Sequence, residues 1–247
     1  MKFVIFSGTT EGRRLSHALV QLGGSVTVCV ATEYGRAEQG SAPGMTVLSG
    51  RMEPPEMAQA ASGADLCVDA THPYAIQASQ NIRAACGEAG TPLLRLLREE
   101  SAVPEGAKLF ASASEAAEWL KTTQENVLLT TGAKELGVFA PLGGERLYPR
   151  VLPLAASLAA CEAAGVPGRN ILALQGPFSQ ELNEALIRQY HIRYLVTKDG
   201  GRTGGFEEKA AAAHATGITL VLIRRPQDDG LDYESVFNKC REMMGCR

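Results

Sequence analysis

Ser7-Gly8-Thr9-Thr10-Glu11-Gly12-Arg13 follows a short apolar run and sets two glycines beside a cation. A strand-to-helix turn of this kind exposes backbone N–H groups that can hold a phosphate or a carboxylate. The turn is not the GxGxxG dinucleotide fingerprint, because Thr10 and Arg13 stand where its second and third glycines would. Nor is it a P-loop, since no Gly-Lys-Ser/Thr follows. An ordinary connection accounts for it equally well. Ala31-Thr32-Glu33-Tyr34-Gly35-Arg36 closes the second strand. At that place an acid takes the adenosine ribose of NADH and an arginine takes the phosphate of NADPH. Glu33 and Arg36 are both present, so the choice stays open, as does a solvated turn.

A third strand end, Asp69-Ala70-Thr71-His72-Pro73-Tyr74, carries two titratable rings. Capping of the next helix explains Thr71, and Pro73 suits its first turn. His72 and Tyr74 are the candidates for proton transfer, although packing is the commoner fate of a lone histidine. In the second half, Thr130-Thr131-Gly132-Ala133-Lys134-Glu135 resembles another anion-binding turn. Arg150 stands between Pro149 and Pro153 at a strand end. Gln175-Gly176-Pro177-Phe178-Ser179 follows ILAL, with Ser179 as a helix cap. Lys198 and Arg202 lie in a run with four glycines, Gly200, Gly201, Gly204 and Gly205. That run suits a loop closing over an anion. A plain surface loop explains its glycines but not the recurrence of polar strand ends along this half.

The elements that must position these residues alternate regularly. KFVIF (2–6), VTVCV (26–30), TVL (46–48), LCVDA (66–70) and PLLRL (92–96) are separated by helical segments, including one expected over 71–90. After the charged stretch REESAVPEGAK the alternation restarts with KLF, NVLLT, RLYPRV, ILAL, YLVT and TLVLI. Continuously apolar strands ending in polar loops indicate parallel sheets covered on both faces. The expected fold is α/β: two doubly wound Rossmann-like domains, 1–100 and 101–247, with parallel sheets and a cleft between them. A single eleven-strand sheet would exceed the usual size. The last helix, DYESVFNKCREMMG, is expected to pack as an appendage.

Bulk properties exclude several classes. The 247 residues carry a net charge of −3 and few aromatics, which argues against nucleic acid as partner. No run reaches the ~18 apolar residues of a membrane span. The opening MKFVIFSGTT reads as a strand rather than a signal peptide, so a cytoplasmic protein is expected, monomeric or weakly self-associating. Six scattered cysteines and four histidines give no metal-ligand spacing, so no metal, zinc site or disulfide framework is expected. No Ser-His-Asp order, GxSxG or HExxH is present.

These segments, in this order, resemble the precorrin-6A reductase family of corrin biosynthesis. The resemblance rests on SGTTEGR (7–13), VDATHPYA (68–75), LLRLLRE (93–99), LLTTGAKEL (128–136), YPRVLP (148–153), LALQGPFSQELN (172–183), LVTKDGG (195–201), EKAAAA (208–213) and LIRRP (222–226). It implies a reductase using NADH or NADPH that delivers hydride to a ring-contracted tetrapyrrole, giving precorrin-6B or its cobalt form. ATEYGR and the full DATHPYA look more like the branch that handles the cobalt-containing substrate. Lys198-Asp199-Gly200-Gly201 departs from the Lys-Asn/Asp-Ser-Gly expected in the family. The cofactor is expected on Gly8, Thr9, Thr10, Glu11, Gly12, Arg13, Thr32 and Glu33. The substrate, fringed with carboxylates, is expected on Lys134, Arg150, Gln175, Gly176, Pro177, Lys198 and Arg202. Another nucleotide-using tetrapyrrole enzyme, such as a methyltransferase, and a two-lobed ligand-binding protein are the alternatives.

Overall fold

A computed structural model describes residues 1–98, 101–200 and 205–245. They form two compact units, Met1–Glu99 with Pro226–Arg247, and Glu100–Arg225. The first unit runs β1 (Lys2–Ser7), α1 (Thr10–Gln21), β2 (Ser25–Val30), α2 (Glu33–Gln39), β3 (Met45–Ser49), α3 (Pro54–Ala61), β4 (Leu66–Ala70), α4 (Ile76–Ala89) and β5 (Leu93–Arg95). Its five parallel strands lie in the order β3-β2-β1-β4-β5. Strand order therefore reverses between β1 and β4, and the carboxyl ends of those strands open a crevice there.

Alternation along β1 explains why helices cover both faces. Phe3 and Ile5 pack with Leu15, Leu19 and Val28 on the α1 side. Val4 and Phe6 pack with Met57, Ile82 and Cys86 on the α3–α4 side. Each of these large side chains, almost completely buried, contributes roughly 1.5–3 kcal/mol relative to exposure.

The second unit contains β6 (Lys108–Phe110), α5 (Ala113–Leu120), β7 (Asn126–Leu129), α6 (Leu136–Phe139), β8 (Leu147–Val151), α7 (Ala155–Ala163), β9 (Leu172–Ala173), α8 (Gln180–Gln189), β10 (Ile192–Lys198), α9 (Phe206–Thr216) and β11 (Thr219–Ile223). Its six strands are parallel in the order β6-β11-β10-β7-β8-β9, with the reversal between β10 and β7. Both sheets are thus parallel and doubly wound, as the alternation indicates.

Three expectations change. Residues 226–247, expected with the second half, return to the first unit, where α10 (Tyr233–Met243) buries Val236 and Cys240 beside Leu15 and Leu19. Leu96 bridges Leu231, and Arg95 Nε donates to Asp228 at 2.7 Å, so strand-like and ionic contacts hold the returning segment. The helix expected over 71–90 begins only at Ile76, and its N-cap Ala75 has no side-chain hydrogen bond. Thr71 is not that cap: its N–H and Oγ1 both donate to Asp69 Oδ1, at 3.0 and 2.7 Å, which turns the chain before a helix can start. ATEYGR is more than a turn, because its last four residues open α2. The five described cysteines are free and buried, and Cys246 lies outside the described residues.

Candidate functional site

The β1–α1 turn of the first unit is built by Thr9. Its Oγ1 accepts from Gly12 N at 3.2 Å, capping α1, and donates to Ala70 O at 3.0 Å across the strand reversal. The N–H groups of Thr10 and Glu11 precede any intrahelical acceptor and carry the positive end of the helix dipole. The two glycines serve different ends. A Cβ on Gly12 would lie 2.8 Å from both Ala70 Cβ and Ser7 Oγ, so this glycine lets α1 close onto the sheet. A Cβ on Gly8 would meet the Thr71 and His72 backbone at 3.6 Å, an ordinary contact. Gly8 therefore keeps the turn's surface bare and in touch with the β4–α4 turn.

Beside Gly8 lies a cleft of about 340 Å³. Its walls include Thr9, Thr10 and Arg13 from the first turn, Thr32, Tyr34 and Gly35 from the second, and Arg98. Thr32 caps α2 by accepting from Gly35 N at 3.0 Å. Glu33 accepts from Ser49 Oγ, and Arg36 Nη1 donates to the same oxygen at 3.4 Å. The acid and the base that bear on cofactor choice thus share one anchor at the end of β3. Glu11 is held by Arg98 through Nε at 3.0 Å to both oxygens and Nη2 at 2.8 Å. Arg13 Nη1 bonds Glu38 O at 3.0 Å and its carboxylate at 3.4 Å, an exposed pair worth little in stability. Seven of the eight residues expected to hold a cofactor thus frame the first two turns. The eighth, Gly12, faces the sheet.

Next to this turn, Asp69 is buried and bonded by Arg95 Nη1 at 3.0 Å, which also reaches Thr71 O at 3.0 Å. Arg95 Nε meanwhile holds Asp228. This network fixes the loop bearing His72 and Tyr74, whose rings stack at 5.6 Å between centroids. Tyr74 N–H points to His72 Nδ1 at 3.4 Å, which favours the tautomer protonated at Nε2.

The second unit arranges its strand ends differently. Thr130 is tied to Val196 O by N–H and Oγ1, at 2.9 and 2.8 Å. Gly132 takes φ +84°, and Lys134 is exposed. Lys198 pairs with Glu135 at 2.8 Å across the reversal between β7 and β10. Arg150 is buried, donates to Asn183 Oδ1 at 2.7 Å and lies under the Phe178 ring, 4.1 Å from its centroid. Burial lowers its pKa to about 10. Gln175, Gly176 and Pro177 are exposed, Gly176–Pro177 is a cis bond, and Ser179 caps α8 by accepting from Leu182 N at 3.3 Å. Arg202 lies outside the described residues.

Sequence reasoning passed over Arg95, Arg98, Asp228 and Lys209. The two arginines at the end of β5 sit three apart in LLRLLRE, a spacing that could have flagged them. Lys209 sits in an alanine-rich helix with no such signal. Among the described residues no group of three His, Cys, Asp or Glu is placed to hold a metal ion, and no helix is long and apolar enough to cross a membrane.

The model of the family described as precorrin-6x reductase CbiJ/CobK matches residues 2–246. The chain is 35% identical over 251 residues to cobalt-precorrin-6A reductase of Methanothermobacter thermautotrophicus, covering 99% of this chain and 82% of the other. It is 32% identical over 248 residues to cobalt-precorrin-6A reductase of Priestia megaterium, covering 98% and 96%. A solved CobK precorrin-6A reductase superposes with a TM-score of 0.76 over 100% of this chain and 98% of that one, at 22% identity, and so shares the fold.

Proposed function

Because the chain belongs to the precorrin-6x reductase family, we propose that it reduces cobalt-precorrin-6A to cobalt-precorrin-6B with NADH or NADPH. The observation that carries the cofactor part of this reading is the cleft at the β1–α1 and β2–α2 turns, beside the strand reversal of the first sheet. Bare backbone at Gly8 and the helix-start N–H groups of Thr10 and Glu11 fit a dinucleotide diphosphate. Thr32, Glu33 and Arg36 stand where the adenosine ribose would lie. A reduced nicotinamide held by these residues would supply the hydride.

The chain's own task is then mainly positioning. Arg98 holds Glu11 so that this carboxylate is neutralised beside the diphosphate position. The Asp69–Arg95 network keeps the Thr71–His72 backbone against Gly8, with the Tyr74 ring stacked on His72. His72 Nε2–H is the candidate proton source when the macrocycle gains hydride at carbon. In the second unit, Arg150 and Lys198 offer cations to substrate carboxylates, with Lys134, Gln175, Gly176 and Pro177 at the same strand ends.

Anaerobic mixing of the protein with cobalt-precorrin-6A, NADH or NADPH being added separately, tests the reading. Oxidation of one cofactor in step with a change in the macrocycle spectrum is expected. No oxidation with either cofactor overturns it. Reaction of metal-free precorrin-6A alone moves the enzyme to the other branch of the pathway.

A further inference from the structure

The outer face of α1 carries a second cavity beside the cofactor cleft. Between α1, α2 and α10 lies an open groove of about 500 Å³, walled by Arg13, Arg14 and His17, by Glu38 and Gln39, and by Tyr233. All of these belong to the first unit. A space of this size takes a small molecule. His17 follows Arg14 by three positions and Arg13 by four, the spacings that make neighbours on a helix surface. These side chains are held in place with donors to spare. His17 Nε2–H donates to Gln39 O at 2.9 Å. The Arg14 guanidinium lies over the Tyr233 ring, 4.3 Å from its centroid, and among the described residues it donates no hydrogen bond. Phe237 backs that ring, stacked at 6.1 Å. Among the described residues Arg13 uses Nη1 alone, on Glu38 O at 3.0 Å and Glu38 Oε2 at 3.4 Å. The Glu38 side chain is 57% exposed, so its carboxylate can turn into water at little cost.

Groove and cleft share Arg13, Glu38 and Gln39, whereas Arg14, His17 and Tyr233 line the groove alone. The Arg13–Glu38 pair is thus the partition between them. With Glu38 turned away, Arg13 and Arg14 set two positive charges on the groove, which match the roughly −1.5 to −2 charge of a phosphomonoester near pH 7. Guanidinium forks take phosphate oxygens in pairs. We propose that this groove is a second ligand site, for a small phosphomonoester, and that its occupant draws Arg13 from the cofactor cleft and so lowers dinucleotide affinity. The anion site stands without the reductase reading; the coupling rests on the cofactor part of it. Arg36 stands beside the ribose position, so the 2′-phosphate of NADPH has a cation of its own.

The full-length protein, in phosphate-free buffer at constant ionic strength, is titrated with glycerol 2-phosphate by calorimetry. NADH and NADPH affinities are measured by fluorescence with and without the ester. Glycerol 2-phosphate should bind at least about tenfold more tightly than acetate, which carries one charge. At saturation it should lower NADH and NADPH affinity by one common factor, about threefold to tenfold, and either dinucleotide should lower ester affinity by that same factor. Arg14 is exposed, so Arg14→Met should keep the wild-type Tm. That variant should bind the ester at least about tenfold more weakly and lose its effect on both dinucleotides, with Arg14→Lys in between. Equal ester binding by wild type and Arg14→Met overturns the site. Ester that displaces NADH without limit, in Arg14→Met as in wild type, lies on the diphosphate position and also overturns it. Displacement of NADPH alone makes the groove the 2′-phosphate end of the cofactor cleft and overturns a second site. Arg14-dependent ester binding that leaves both dinucleotide affinities unchanged overturns the coupling. The same binding in a protein that takes neither dinucleotide keeps the site and removes the cofactor reading.

Discussion

The strand ends of the two units handle charge in opposite ways. In the first, the buried or half-buried arginines close into pairs: Arg98 on Glu11, and Arg95 on Asp69 and Asp228. At the β1–α1 turn itself, bare backbone and a helix dipole face a ligand. In the second, Arg150 and Lys209 stand buried, burial lowering the pKa of each, with an amide and an aromatic face beside Arg150. A surface that offers dipoles in place of net charge suits a cofactor common to many enzymes, whose diphosphate needs hydrogen bonds in a fixed pattern. A surface with buried cations at its strand ends suits a polycarboxylate, which is recognised through charge-assisted hydrogen bonds.

The comparison breaks first if the pairs of the first unit are dispensable. Arg95→Met leaves the Asp69 carboxylate, 2% exposed, without its cation, and a loss of about 3–5 kcal/mol is expected in urea unfolding. A loss under about 1 kcal/mol would mean the network is ornamental.

Lys209 should show the opposite sign. Its pKa in the fold, about 8, lies below the ordinary lysine value of 10.5, so between these values the unfolded chain binds more protons and stability rises with pH. Wild type should therefore gain up to about 2 kcal/mol over Lys209→Met between about pH 8 and 9.5. The buried thiols Cys29 and Cys240, raised to about 12 and about 11, act the other way above their usual range but are common to both proteins and cancel. Parallel stability profiles would place Lys209 in a solvated setting.

The two glycines of the first turn sharpen the contrast within one unit. Gly12→Val drives a side chain into Ala70 and Ser7 and should cost about 1–3 kcal/mol in thermal unfolding. Gly8→Val meets no such barrier at its Cβ, so stability should hold while NADPH affinity falls about tenfold or more in a fluorescence titration. Equal effects on stability would erase the division of labour. Smallest is the choice of cofactor: Glu33→Gln should shift the NADH to NADPH preference toward NADPH by about threefold to tenfold in kcat/KM, and Arg36→Gln should shift it the other way.

What could be read in the sequence follows the range of the forces involved. Apolar runs and the turn at Gly8–Arg13 are local, so the parallel sheets and the first two strand ends were legible. Thr71 was not, because capping and bonding to Asp69 use the same hydroxyl, and Arg95, twenty-four residues on, helps decide between them. Nor was the return of residues 226–247, since Arg95 and Asp228 are 133 positions apart. Lys209 sits in an alanine-rich helix whose local sequence carries no sign that its amine is buried.

The interrupted first unit imposes an order on synthesis. The second unit is one unbroken stretch and has all its strands once residue 225 has left the ribosome. The first unit must hold its five strands open until Val236 and Cys240, made later, reach Leu15 and Leu19. On a translating ribosome the part of the chain made first would thus be finished last, and for that interval the α1 face of its sheet would be the surface most in need of a chaperone.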